Sequence, residues 1–373
     1  MTLLSALITP ACVIDINRLE RNSERMLTKC RTVGLPLRPH VKTLKSTQAA
    51  AIYAPLPSAI TVSTLAEARY FADAGYQDIL YAVDLTPNKY EAVNKLLADG
   101  VAITVAVDNP SAVDALTRAS SLFYKPLSVV IELDVDDHRA GIAPESETLL
   151  SMAKQINDAE QLAFSGVMAH AGASYGCNTQ AAQTAMAKQE CERTEMAAER
   201  LADAGLPCRV VSVGSTPTAL SDYKQTGITE IRAGVYATFD LVMADLNVCA
   251  VEDIALSVLT TVIGHQPKKN WVLVDAGWMG LSRDKGSNNH GYGLVTDASG
   301  KVLDGWYVSM TNQEHGIIEH KDKLPIPDGL FEFGSQLRIL PNHACATAGQ
   351  YRKYFVTRDN QTVSEVWDSA DGW

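Results

Sequence analysis

The chain has 373 residues, 46% of them apolar and 20% charged. That composition excludes a mostly disordered chain and leaves room for two domains. Lys and Arg number 32 against 43 Asp and Glu, a formal charge of −11. An acidic balance disfavours a nucleic-acid partner, whose binding needs clustered Lys and Arg, and no apolar run approaches the ~20 residues of a membrane span.

Residues 1–14 are apolar but lack the basic start of a signal peptide. They run straight into Asp15-Ile16-Asn17-Arg18 and read as an entry strand. Eight short runs then read as buried strands: 36–42, 59–64, 78–83, 102–107, 127–135, 164–170, 208–214 and 229–235. Most are rich in β-branched residues and too continuously apolar for half-exposed strands. Helical patterns lie between them, at Leu65 to Gly75, Pro87 to Gly100, Pro110 to Ser120, Glu147 to Ile156 and Thr184 to Gly205. Several open on Pro or close on Gly, the polarity expected of helix ends. Eight strand–helix units in about 220 residues have the rhythm of a (β/α)8 barrel. An open doubly wound sheet is the rival, but no Gly-x-Gly-x-x-Gly follows the first strand.

After about residue 245 the rhythm changes. Ile254–His265, Trp271–Asp275, Trp306–Met310 and Gln336–Leu340 are strand-like and separated by turn-rich pieces. The expected organisation is α/β: a barrel over 15–245, and a smaller, mainly-β domain formed by 1–14 with 246–373. Seven cysteines, at 12, 30, 177, 191, 208, 249 and 345, show no paired short spacing. An odd, scattered set fits reduced thiols and a cytoplasmic protein.

In such a barrel, functional residues gather at the C-terminal ends of the strands. Lys42 ends the apolar run Arg38-Pro39-His40-Val41-Lys42-Thr43. It is either a desolvated amine able to form a Schiff base or a lysine whose head reaches solvent at the barrel mouth; Lys45 is its decoy. Gly214-Ser215-Thr216-Pro217-Thr218 and Arg232-Ala233-Gly234-Val235-Tyr236 close the seventh and eighth strands. Loops at those two positions suit a phosphate, with an ordinary capped turn as the plain alternative. His170 and Tyr175 follow the sixth strand, to stack on a ring, carry a proton or bond a ring nitrogen, or simply to pack. His343-Ala344-Cys345, if extended, turns imidazole and thiol to one side, where both can hold zinc; a small buried Cys beside a bonded His is the alternative. Asn312-Gln313-Glu314-His315-Gly316 is a polar cluster in the β domain.

These motifs stand in the order they have in fold-type III pyridoxal phosphate enzymes. The pattern resembles the subgroup of D-serine dehydratase, D-threo-3-hydroxyaspartate dehydratase and D-threonine aldolase, nearest to the hydroxyaspartate dehydratase branch, and it covers essentially the whole chain. The resemblance implies an alanine-racemase-like architecture, a homodimer with sites near the subunit boundary, and pyridoxal 5'-phosphate as cofactor. It makes Lys42 the Schiff-base lysine and puts the cofactor phosphate on the Gly214–Thr218 and Gly234–Tyr236 loops, including Ser215 and Thr216. It places Arg139 near the phenolic oxygen and Tyr175 at the pyridine nitrogen, with His170 beside the ring. It makes His343 and Cys345 ligands of a divalent metal, for which thiolate favours zinc over manganese or magnesium. The implied activity is dehydration of a D-3-hydroxy amino acid to a 2-keto acid and ammonia, with Lys42 as base. The aldolases of the group carry Asp where this chain has Cys345, which tilts the reading toward the dehydratases. The rivals are an aldolase of the same fold and a non-catalytic pyridoxal phosphate carrier. The second carboxylate of a hydroxyaspartate would need a cation, for which Arg283 and Lys285 are candidates.

Overall fold

The computed structural model describes residues 2–286 and 290–373. The chain divides into two compact units, Glu24–Gly234 with Ala370–Trp373, and Met1–Ser23 with Val235–Ser369.

In the first unit eight parallel strands run Leu37–Pro39, Ile60–Val62, Asp78–Asp84, Ala102–Val107, Leu127–Leu133, Leu162–Ala169, Val210–Val213 and Glu230–Ala233. From the second strand onward each pairs with the next in sequence, and the eighth pairs back onto the first. The first and second strands meet in a single bridge, His40 with Thr61, beside which the Val41 N–H donates to Thr61 O at 3.0 Å. The sheet therefore closes as the expected barrel. Its strands are covered on both faces, which is why they read as unbroken apolar runs. Leu80, Ala106, Val130 and Met168, from four successive strands, pack into one buried cluster.

The helices begin where the sequence supplies caps. Thr64, Asn109 and Thr179 each accept a backbone N–H at the start of Leu65–Asp73, Pro110–Arg118 and Gln180–Asp203, each satisfying a donor with no partner inside the helix. The pattern opening at Pro87 becomes a short 3-10 turn, Pro87–Lys89, before the helix Tyr90–Ala98. The N-terminal end of the barrel is held by ions: Arg38 pairs with Glu230 at 2.8 Å and with Asp78 at 2.8 Å.

In the second unit, nine strands among the described residues form one largely antiparallel sheet. In spatial order they are Trp271–Val274, Gly316–His320, Val302–Thr311, Leu294–Asp297, Gln336–Leu340, Leu256–Gln266, Ala11–Asp15, Lys353–Thr357 and Glu365–Asp368. Leu256–Gln266 also pairs with Trp271–Val274, so the first six close into a small barrel. Val258, Val274, Trp306, Val308, Ile318 and Ile339 fill it. The entry strand Ala11–Asp15 lies between Leu256–Gln266 and Lys353–Thr357, so the N-terminus does join this domain. Among the described residues no helix is long and apolar enough to cross a membrane.

Candidate active site

On the barrel unit, Lys42 lies in a turn past the first strand, which ends at Pro39. Its side chain is exposed, so of the two readings of Lys42 the one whose head reaches solvent matches the structure. The Lys45 N–H donates to Val41 O at 3.0 Å, closing the turn that holds Lys42. Lys45 is committed elsewhere, 3.1 Å from the buried Glu67 carboxylate. Among the described residues Lys42 has no such acidic partner.

Two imidazoles feel the Lys42 charge. His40 is half-buried, its Nδ1 buried and without a hydrogen-bond partner among the described residues, and desolvation first, then Lys42 and Arg232, hold its pKa well below the ordinary value. His170 follows the sixth strand, and burial brings it down to about 4, with Lys42, Arg139 and Arg232 adding to the effect. Both rings are neutral at pH 7. His170 Nδ1 lies 2.9 Å from Gly214 O, an acceptor only, so the proton sits on Nδ1 and Nε2 keeps its lone pair. Tyr175, on the 3-10 turn Gly172–Gly176, is exposed, its ring 6.2 Å from that of His170.

The loop after the seventh strand is a tight cradle. Gly214 has φ +139°, and a Cβ there would lie 2.0 Å from Arg232 O, so only glycine fits. The Ser215 hydroxyl caps Thr216–Leu220, and Thr218 reciprocates on the Ser215 N–H. Thr216 differs. It is buried and its hydroxyl has no partner among the described residues. An unsatisfied buried hydroxyl calls for an acceptor, and the oxygens of a phosphate would supply one. After the eighth strand, a Cβ on Gly234 would stand 3.0 Å from His40 O. Tyr236 is buried in the turn Val235–Ala237. Arg139 is largely exposed and reaches back to the buried Glu132 carboxylate at 3.4 Å.

On the second unit, the extended reading of 343–345 is corrected. His343 has extended backbone, φ −133° and ψ 100°, but a helix, Ala344–Ala348, begins immediately after it. Cys345 sits in the first turn, and the two side chains still meet in a hydrogen bond. That bond first, then the Cys345 and Asp240 charges and the Asp284 hydrogen bond, lifts the His343 pKa to about 9. Asp284 Oδ2 lies 2.8 Å from His343 Nδ1 and leaves Nε2 for another ligand, as a metal-binding histidine is usually oriented. Asp240 caps Leu241–Asp245 and accepts the Ala344 N–H at 3.0 Å, fixing the turn from behind. A thiol, an imidazole and a carboxylate behind it are a donor set suited to a divalent cation. Among the described residues no three His, Cys, Asp or Glu side chains converge as a metal cluster. Arg283 lies over the Trp278 ring at 4.4 Å and Lys285 over the Tyr292 ring at 5.5 Å; both flank Asp284. Residues 312–315 form the turn between Val302–Thr311 and Gly316–His320, and Asn312 O and Gln313 O accept the Trp278 and Met279 N–H groups.

The structure gathers Lys42, Arg139, His170 and the Gly214–Thr218 loop on one unit, and His343 with Cys345 on the other. Sequence reasoning missed Asp284 and Glu190, whose roles come from contacts 59 and 24 residues distant.

Residues 14–241 match the alanine racemase N-terminal domain, and residues 255–357 match a serine dehydratase domain. The chain is 46% identical over 378 residues to D-threo-3-hydroxyaspartate dehydratase of Delftia sp. (strain HT23), with 99% of each covered. It belongs to the fold-type III pyridoxal phosphate enzymes. Within them it stands with the dehydratases, and its class is that of a pyridoxal-phosphate-dependent lyase. A second relative of this group, D-serine dehydratase of Dictyostelium discoideum, is 31% identical over 391 residues, 97% of this chain and 96% of the relative. A solved D-threo-3-hydroxyaspartate dehydratase, a cysteine-to-alanine variant in the metal-free form, superposes with a TM-score of 0.95 at 43% identity over 100% of both chains.

Proposed function

We propose that this chain is a pyridoxal-phosphate- and divalent-metal-dependent dehydratase that converts a D-3-hydroxy amino acid, D-threo-3-hydroxyaspartate or D-serine, to a 2-keto acid and ammonia. The observation that carries the reading is 46% identity across 99% of both chains with a dehydratase of that substrate class. The exposed Lys42 amine and the His343–Cys345 pair support it from the chain's own chemistry.

The Gly214–Thr218 and Gly234–Tyr236 loops form the cradle of the cofactor phosphate, with the unpartnered Thr216 hydroxyl as a donor to it; Tyr175 serves the ring nitrogen, Arg139 the phenolic oxygen and Lys42 the aldehyde carbon. His343 and Cys345 would hold the ion, for which thiolate favours zinc. The cofactor supplies an electron sink for charge at Cα, and the ion supplies Lewis acidity that eases departure of a β-hydroxyl. Lys42 Nζ receives the Cα proton, a role its exposure leaves open to an incoming substrate. His170, uncharged at neutral pH, lies by the ring without adding charge to that of Lys42 and Arg139. Glu132 restrains the Arg139 side chain. Asp284 aims His343, and Asp240 holds the turn that sets Cys345 beside it. The enzyme acts as a homodimer, and seven cysteines without a disulfide suit the cytoplasm.

The test is a panel of D-serine, D-threonine and D-threo-3-hydroxyaspartate, assayed for 2-keto acid with the purified holoenzyme. Keto acid from D-threo-3-hydroxyaspartate or D-serine is expected. Glycine and acetaldehyde from D-threonine, with no keto acid, would make the protein an aldolase. Bound cofactor with no product from any substrate would make it a carrier.

A further inference from the structure

The long helix Gln180–Asp203 buries a carboxylate that the reaction does not use. Glu190 is 1% exposed. Its Oε1 accepts the Ala171 N–H at 2.9 Å and the Gly214 N–H at 3.0 Å, and the Thr218 hydroxyl also hydrogen-bonds the carboxylate. One oxygen thus joins the segment after the sixth strand to the loop after the seventh. Three further bonds brace the same place. His170 Nδ1 donates to Gly214 O at 2.9 Å, Ser174 Oγ lies 2.8 Å from Ser215 Oγ, and Arg232 donates to Ala169 O at 2.6 Å. The His170 backbone is therefore held on one side through the carbonyl before it and on the other through the N–H after it.

A buried carboxylate is costly unless hydrogen bonds and charge compensate it. The same helix fills its neighbouring buried positions with Ala187, Cys191, Thr194 and Ala197, so packing alone does not ask for an acid here. Both donors bound by Oε1 belong to segments that carry cofactor contacts in the reading above. The Gly214 N–H points to Glu190 and the Ser215 N–H to Thr218 Oγ1 at 3.1 Å. Neither N–H is left for a phosphate, whereas the buried Thr216 hydroxyl has no partner among the described residues.

We propose that Glu190 is a positioning residue that sets the phosphate cradle and the His170 segment in register through one shared carboxylate oxygen, leaving the Thr216 hydroxyl free to meet the phosphate. The proposal rests on Gly214–Thr218 being the cofactor phosphate site.

The experiment compares retention of pyridoxal phosphate with that of pyridoxal, which lacks the phosphate, in the wild-type holoenzyme and in Glu190→Leu, Glu190→Gln and Glu190→Asp. Wild type should favour pyridoxal phosphate strongly. In Glu190→Leu that preference should fall by about tenfold or more, the scale of losing buried hydrogen bonds, with kcat falling and KM for the D-amino acid within about twofold. Glu190→Gln keeps an Oε1 acceptor and should restore most of the preference. General destabilisation would weaken both ligands alike and leave the ratio unchanged. An unchanged ratio in Glu190→Leu overturns the proposal. Should that variant not fold, Glu190→Asp, whose shorter side chain cannot reach both N–H groups, decides in the same way. A wild type that does not distinguish the two ligands removes the phosphate site itself, a separate failure.

Discussion

Gly214→Ala isolates the cradle loop. At φ +139°, the new Cβ would stand 2.0 Å from Arg232 O and 2.9 Å from the Arg232 N and C atoms. Ordinary contact begins near 3.4 Å, so loop or strand must yield by about 1.4 Å (3.4 − 2.0) at atoms that are all backbone. Arg232 cannot move easily, because its guanidinium is clamped by Ser212 Oγ and Ala169 O. The backbone conformation alone costs a non-glycine residue about 1–3 kcal/mol. Displacement also loosens the Glu190 and His170 bonds to Gly214, each about 1 kcal/mol. The total is about 3–5 kcal/mol. The control is Gly205→Ala, at φ +80° with nothing within 4 Å, where only conformational strain of about 1–2 kcal/mol applies. Urea denaturation should rank Gly214→Ala well below Gly205→Ala, and only Gly214→Ala should lose pyridoxal phosphate on dialysis. Equal stability losses and full cofactor retention in both variants would refute the reasoning.

Lys42→Ala should abolish the visible absorbance of the lysine-linked cofactor, whereas Lys45→Ala should keep it and lose only the ion pair to Glu67; a surviving band in Lys42→Ala would move the linkage to another lysine. Asp284→Asn weakens the hold on His343 Nδ1 and should lower metal affinity by about 10–100-fold, read as metal content after dialysis against graded chelator. His170 should make the fold acid-sensitive. Its pKa is about 4 when folded against about 6.5 unfolded, so the unfolded chain takes the proton first. Stability is therefore lost as pH falls from about 6.5 to 4, by up to about 3 kcal/mol, and His170→Asn should flatten that stretch of the stability–pH curve.

The barrel strands were legible because their chemistry is uniform. Ala102–Val107 and Leu127–Leu133 are β-branched runs covered on both faces, and nothing competes with that signal. The helix Ile16–Val33 was not read. Its buried stripe of Ile16, Leu19, Met26 and Cys30 is diluted by Asn17, Arg18, Glu20, Arg21, Asn22, Ser23, Glu24 and Arg25. The hydrogen bond from Arg18 N–H to Asp15 Oδ1 at 3.1 Å marks its start only once the fold is known. In the β domain the short strands Leu294–Asp297 and Lys353–Thr357 were missed: their residues suit a strand, but runs of four and five give too short a pattern to separate them from the turns around them.

The candidate site divides in the same way. Residues within compact motifs, such as Lys42 and Gly214, could be read. The burial of Lys42 could not, since an exposed turn and a buried strand end share one local sequence. The i, i+2 argument for His343 and Cys345 assumed a strand where a helix begins, yet the pair meets because His343 occupies the cap position. Asp284 and Glu190 gave no local sign. A carboxylate on a helix or loop is ordinary until the fold shows which backbone group or imidazole it meets.

The most direct measurement follows one substrate to its products. With D-threo-3-hydroxyaspartate and the metal-loaded, cofactor-loaded protein, 2-keto acid and ammonia should accumulate together in equal amounts, with no glycine. Glycine with glyoxylate, or no keto acid from either this substrate or D-serine by protein carrying both groups, would contradict the assignment of this chain as a dehydratase.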